Sequence, residues 1–105
     1  MAQFDLYRNR DQVSKHSYPF LLDVQTNLLE HLNSRMVIPL TRLEPSSASF
    51  PRSLCPTLAI DNQDYALLTY QMAAVSVRSL TDLHSSMAAS RAEIISALDF
   101  LVTGI

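Results

Sequence analysis

Apolar and polar positions alternate from Gln3 to Arg8, with Phe4 and Leu6 on one side and Asp5 and Tyr7 on the other. A period of two predicts a short strand. Tyr18 to Val24 repeats the pattern and places Phe20, Leu22 and Val24 on one face. The polar stretch Asn9 to Ser17 between them reads as a long hairpin connection. Arg35 to Thr41, RMVIPLT, is rich in β-branched and apolar residues and predicts a third strand. Pro39 within it has no N–H for a ladder, which points to a sheet edge or a bulge. Glu44 to Pro56 holds three prolines and several serines and predicts loop. Thr57 to Ile60 and Tyr65 to Gln71 flank the polar turn Asp61-Asn62-Gln63-Asp64 and predict a hairpin. Ala74 to Val77 adds a last short strand.

The period then changes. From Arg91 onward the apolar residues fall at Ile94, Leu98, Leu101 and Ile105, with Ile95 and Val102 alongside. Spacings of three and four predict a helix over Arg91 to Thr103, about 20 Å long at 1.5 Å per residue. Ser90 followed by Glu93 matches a capping box for its start. Ser96, Asp99 and Thr103 form one polar stripe along it. Gly104 follows where a left-handed C-cap is favoured and reads as the helix stop. Against that simple reading, a chain with no other glycine has little reason to cap a helix with one residue left.

The 105 residues suffice for one domain with one modest core, spanning 1–105. Charged residues make up 17%, against roughly 25% in soluble domains. A small domain with so few charges is expected to have part of its surface covered by a partner or a second copy. The net charge is −2, and the eight basic residues are scattered. No run of them neutralises several phosphates together, which argues against strong unaided nucleic-acid binding. The first residues lack the pattern of a signal peptide, and no apolar stretch approaches the ~20 residues that span a bilayer. A cytoplasmic protein with no membrane partner is expected.

Candidate chemistry is sparse. One glycine, where about seven would be usual, excludes the phosphate-cradling glycine-rich loops. His16, His31 and His84 stand far apart, and the single Cys55 has no His or Cys at metal-ligand spacing. Neither a metal nor a cofactor is expected. Cys55, between Leu54 and Pro56, reads as a small core residue rather than a nucleophile. Asp61 and Asp64 read as turn formers, and Asp23 and Glu30 point to no particular chemistry. The pattern is that of a binder, not an enzyme.

Several segments together resemble the CcdB family of toxin–antitoxin toxins. Leu22-Asp23-Val24-Gln25 and the following Leu28-Leu29 are similar to the family's aspartate–valine–glutamine strand and its paired aliphatic residues. Arg35-Met36-Val37-Ile38-Pro39-Leu40 reproduces the family's RMVIPL segment without change. Leu54 and Pro56, then Met72-Ala73 with Val75 and Val77, fall in the family's order at near-family spacing. Gly104-Ile105 coincides with its terminal glycine–isoleucine.

The resemblance implies a mainly β (α+β) fold: an SH3-like β-barrel with a small extra sheet and a C-terminal α-helix, in a symmetric homodimer. It implies a toxin that binds the DNA gyrase A subunit and traps the complex with cleaved DNA. It also implies a cognate antitoxin, CcdA-like, that removes the toxin and joins it in repressing their operon, with DNA contacted only through the antitoxin. The gyrase-binding positions it implies are Leu28, Leu29, Asp99, Val102, Thr103, Gly104 and Ile105. Read from pattern alone, Leu28 and Leu29 serve equally as core residues, and Val102 shares a face with Ile95. The chain departs from the family's best-known plasmid form, which carries tryptophan at the position of Thr103, although other members vary there. An interface tryptophan often contributes about 2 kcal/mol, so its uncompensated loss implies binding weaker by ~30-fold. Two alternatives follow: a non-toxic co-repressor that only binds antitoxin, and a ribonuclease toxin of the same barrel type with a cluster drawn from several loops.

Overall fold

The computed structural model describes residues 1–45 and 49–105. Seven strands and one helix follow in chain order: β1 (Asp5–Arg8), β2 (Phe20–Asp23), β3 (Ser34–Arg42), β4 (Thr57–Ile60), β5 (Gln63–Leu67), β6 (Ala73–Ser76), β7 (Leu83–Ser86) and α1 (Arg91–Thr103). They make one antiparallel sheet in the order β4-β5-β3-β2-β1-β7, with β6 branching off β3. The sheet curls into an SH3-like half-barrel, mainly β, closed at one end by the C-terminal helix. β6 pairs with the first half of β3 within this one sheet, off the main strand path. Positions 46–48 of the expected loop lie outside the described residues, and the rest of Glu44 to Pro56 carries neither strand nor helix.

The alternation read from β1 to β3 sets the core. Leu6 pairs with Leu22, and Leu22 with Ile38, so three fully buried aliphatic side chains form one row across the strands. Burying each such side chain contributes about 1.5–3 kcal/mol. Phe4, Phe20, Val24, Leu40, Leu58, Ile60, Tyr65, Leu67 and Ile94 complete that cluster. On the opposite face Tyr7, Val37 and Leu80 form a smaller one with Leu21 and Val75. Both faces are packed at the sheet's centre, which explains why β3 reads as nearly continuous apolar sequence.

Pro39 lies neither at an edge nor in a bulge. β2 runs along one side of β3, while the other side is shared: β6 pairs with Ser34–Val37 and β5 with Leu40–Arg42. The Pro39 carbonyl accepts from the Leu68 amide at 2.9 Å. In a strand the N–H and C=O of one residue face the same neighbour. The missing donor of Pro39 therefore faces the changeover between β6 and β5, where the ladder is interrupted in any case.

The β4–β5 connection is tighter than the sequence suggests. Asp61 and Asn62 alone make the turn, with φ of 52° and 65°, the left-handed pair that two-residue hairpins require. Gln63 and Asp64 already belong to β5, and the strand predicted to reach Gln71 ends at Leu67 before a 3-10 turn over Thr69–Gln71. Strand β7 has no counterpart in the sequence pattern. Its residues, Leu-His-Ser-Ser, offer one large apolar side chain, and Leu83 is itself 55% exposed.

Helix α1 has the predicted bounds but not the predicted cap. Ser90 stands at φ −98°, ψ 17°, outside the extended region a capping side chain needs, and it makes no cap hydrogen bond. A 3-10 turn over Ala88–Ser90 leads directly into the helix instead. Phe4 contacts the segment that leads into that helix. Its φ of 70° is a strained value for a bulky residue. The conformation lets its amide donate to the Asp23 carbonyl at 2.6 Å while its own carbonyl accepts from Met87 at 2.8 Å. The guanidinium of Arg91, the first residue of α1, lies 6.0 Å from the Phe4 ring centre.

The two outer strands, β4 and β7, meet through side chains. His84 Nε2 of β7 lies 2.8 Å from the Asp61 carboxylate just past β4. The Phe20 ring stands edge-on to both His84 and Tyr65, each at 5.2 Å.

Candidate functional site

The helix α1 is anchored by its first half only. Ile94 and Ala97 are fully buried, and Ile95 and Leu98 pack partly against the main core. From Asp99 onward every residue is exposed. The apolar stripe read from sequence therefore outruns the core: Leu101 keeps the spacing of Ile94 and Leu98 but stays partly exposed, and Ile105 is almost bare. Val102 is 76% exposed and Ile105 90%, so the core reading of Val102 does not hold. Phe100 joins them at the surface, and helical spacing does not single it out because it interrupts no pattern.

Local hydrogen bonds shape the end of this helix. The Thr103 hydroxyl donates to the Asp99 carbonyl at 2.7 Å, a bond that satisfies the hydroxyl within its own turn. The Gly104 amide donates to the Phe100 carbonyl at 2.9 Å, with φ at 75°. Gly104 is thus a left-handed helix stop. A Cβ added there would meet nothing within 4 Å, so the demand for glycine comes from backbone conformation, not crowding. Asp99, Val102, Thr103, Gly104 and Ile105 together make an exposed helix end with an apolar tip.

Leu28 and Leu29 lie on a different element, a single 3-10 turn over Asn27–Leu29 after β2. Leu28 is 86% exposed and Leu29 is exposed too, so the core reading of Leu28 fails. Beneath this turn sits a polar network that the sequence did not reveal. The Arg35 guanidinium donates to both Asp23 oxygens, at 2.7 and 3.0 Å, and both residues are fully buried. The available signal was Asp23 itself, a carboxylate in a strand whose neighbours are core residues, because a buried charge requires a partner.

Other ionisable groups serve the fold. Burial, with the nearby Asp5 and Asp23 carboxylates, pushes the Tyr7 hydroxyl above its ordinary value, partly opposed by Arg35. Burial likewise pushes the Cys55 thiol up, and Cys55 packs with Ala66 and Leu68 as the small core residue expected of it. Among the described residues no helix is long and apolar enough to cross a membrane.

A family model of the CcdB protein matches residues 3–104, a span that takes in every strand and the whole of α1. The chain belongs to the CcdB family. CcdB-family proteins are toxins of toxin–antitoxin systems that poison gyrase and are not themselves enzymes, which favours the toxin reading over the ribonuclease alternative. The RMVIPL segment that carries the CcdB resemblance is β3, the strand that holds β2, β5 and β6 together and supplies Arg35.

Proposed function

We propose that the protein acts in the cytoplasm as a homodimer that binds the DNA gyrase A subunit and traps gyrase on cleaved DNA. The contacts come from Leu28, Leu29, Asp99, Val102, Thr103, Gly104 and Ile105. One observation carries this reading: a helix whose first half is buried in the core ends in water with Val102 and Ile105 almost bare. Exposed apolar surface on a rigid element marks a contact site for a partner. A two-fold dimer presents that helix end twice and meets a two-fold target along a shared axis. With a net charge of −2 and scattered basic residues, the chain leaves DNA contact during operon repression to the antitoxin that binds it.

The test is removal of Gly104-Ile105. Ile105 is 90% exposed and Gly104 gives up one hydrogen bond at an exposed helix end, so their loss moves the thermal midpoint little while cleaved DNA no longer accumulates with purified gyrase. A truncated protein that poisons as well as the intact one would falsify the assignment. A second reading, a co-repressor that binds antitoxin without killing, is favoured by Thr103, whose hydroxyl is already used by Asp99 and whose side chain is smaller than the tryptophan of the plasmid form. Normal growth on induced expression in gyrase-sensitive cells, with tight antitoxin binding retained, selects that reading.

A further inference from the structure

The 3-10 turn bearing Leu28 and Leu29 contains no buried residue. Packing therefore holds it only in part, with Leu28 86% exposed and Leu29 40%, and an apolar tip contributes more affinity when its geometry is set before the partner arrives. We infer that Gln25, seated on the Asp23–Arg35 ion pair and assisted by Asn27, is the positioning residue for the Leu28–Leu29 tip; this inference rests on the gyrase-binding reading above.

The hydrogen bonds run in one direction, from core to tip. Asp23 is held by Arg35 Nε and Nη2. The same Asp23 carboxylate accepts from the Gln25 amide at 3.0 Å, and Arg35 Nη2 donates to the Gln25 carbonyl at 3.1 Å. Both backbone polar groups of Gln25 are thereby tied to a fully buried pair. Its side chain then spans the loop. Oε1 accepts from the Met36 amide at 3.0 Å, while Nε2 donates to the Ser34 carbonyl at 3.2 Å and the Leu29 carbonyl at 3.3 Å. One amide group thus joins the far end of the tip to the first residues of β3. On the other side Asn27 Oδ1 accepts from the Gln3 amide at 2.8 Å, and Thr26 Oγ1 accepts from Leu28 at 3.4 Å.

A glutamine at this position has a specific requirement: an acceptor for Met36 and a two-hydrogen donor for Ser34 and Leu29 on one planar group. Glutamate keeps the acceptor and the shape but faces two carbonyls with an oxygen. Methionine keeps the stem and loses both functions. Neither change touches Leu28, which is what separates positioning from contact.

The experiment is a double-mutant cycle on the full-length protein, reading affinity for a purified gyrase A fragment by calorimetry, with thermal midpoints recorded in parallel. Q25E and Q25M each weaken binding about tenfold, the equivalent of one or two lost hydrogen bonds. In a Leu28→Ala background the same changes have almost no further effect, because the tip they position is gone. A purely stabilising role for Gln25 gives losses that add, and additive losses overturn the inference, as does unchanged affinity in Q25E and Q25M when Leu28→Ala alone weakens binding. If Leu28→Ala itself leaves affinity unchanged, it is the gyrase-contact reading of the tip that fails. Should both Gln25 variants not fold, the exposed Asn27→Ala enters the same cycle: a loss that vanishes in the Leu28→Ala background supports positioning, and an additive loss overturns it.

Discussion

Replacing Arg35 with methionine leaves the Asp23 carboxylate stranded in the core. The methionine fills much of the volume of the arginine stem but removes two charge-assisted bonds to Asp23 and one to the Gln25 carbonyl. The Asp23 carboxylate then keeps a single bond, from the Gln25 amide at 3.0 Å. Breaking a buried ion pair on one side costs about 3–5 kcal/mol, a large part of the about 5–15 kcal/mol that stabilises a domain of this kind. For about 100 residues each kcal/mol moves the midpoint by about 4–8 °C, so a fall of at least about 12 °C is expected. Replacing both partners, Asp23→Leu with Arg35→Met, removes the unpaired charge and most of the loss. It also removes Arg35 Nη1, a buried donor without a hydrogen-bond partner among the described residues. Urea unfolding followed by circular dichroism measures the set, at one protein concentration because self-association couples stability to concentration. A single variant within 1 kcal/mol of the parent, a threshold well below the about 3 kcal/mol minimum, refutes the reasoning. So does a double variant no more stable than the single one.

Two further outcomes follow from local geometry. Tyr7 is held neutral by burial and by Asp5 and Asp23, so its folded value lies above the unfolded value of 10.0. Its contribution is complete below about pH 10 and is lost as pH rises through the raised folded value. Tyr7→Phe therefore flattens the alkaline limb of the stability curve, and an unchanged limb shows that Tyr7 does not titrate there. At the β4–β5 turn, Asn62 sits at φ 65°, so Asn62→Gly relieves left-handed strain and raises the urea midpoint by the equivalent of up to about 1 kcal/mol; a lower midpoint shows that the asparagine side chain is what holds the turn.

Much of the sheet was legible because its centre obeys local alternation. Phe20, Leu22 and Val24 on one face, and the apolar run of β3, correspond to side chains that the core requires. The helix bounds were legible for the same reason, since the period changes at Arg91 and glycine stops it at Gly104. What stayed hidden depends on contacts distant in sequence. Pro39 announces a missing donor, but only the pairing of β3 with three strands, two of them sharing one side, says which neighbour goes without it. Leu-His-Ser-Ser becomes a strand because β1 has a free edge and Phe20 a ring for His84 to stand against. The capping box failed because a preceding 3-10 turn fixed Ser90 first. Of the candidate site, the exposure of Leu28 and of the Gly-Ile tail was not readable from spacing, since helical periodicity could not show that burial fades past Leu98, nor that Asp23, Gln25 and Arg35 stand beneath the tip.

The meeting of β4 and β7 bears on how the shell behaves. Among the described residues no backbone hydrogen bond crosses from β4 to β7, and what joins them is His84 on Asp61, with the edge of the Phe20 ring against His84 from β2. Parting such a seam needs only the swing of two side chains and breaks no ladder rung, so local opening is expected there before β2 or β3. Phe20 and Tyr65, the aromatic rings behind that line, are then the first core side chains expected to meet water.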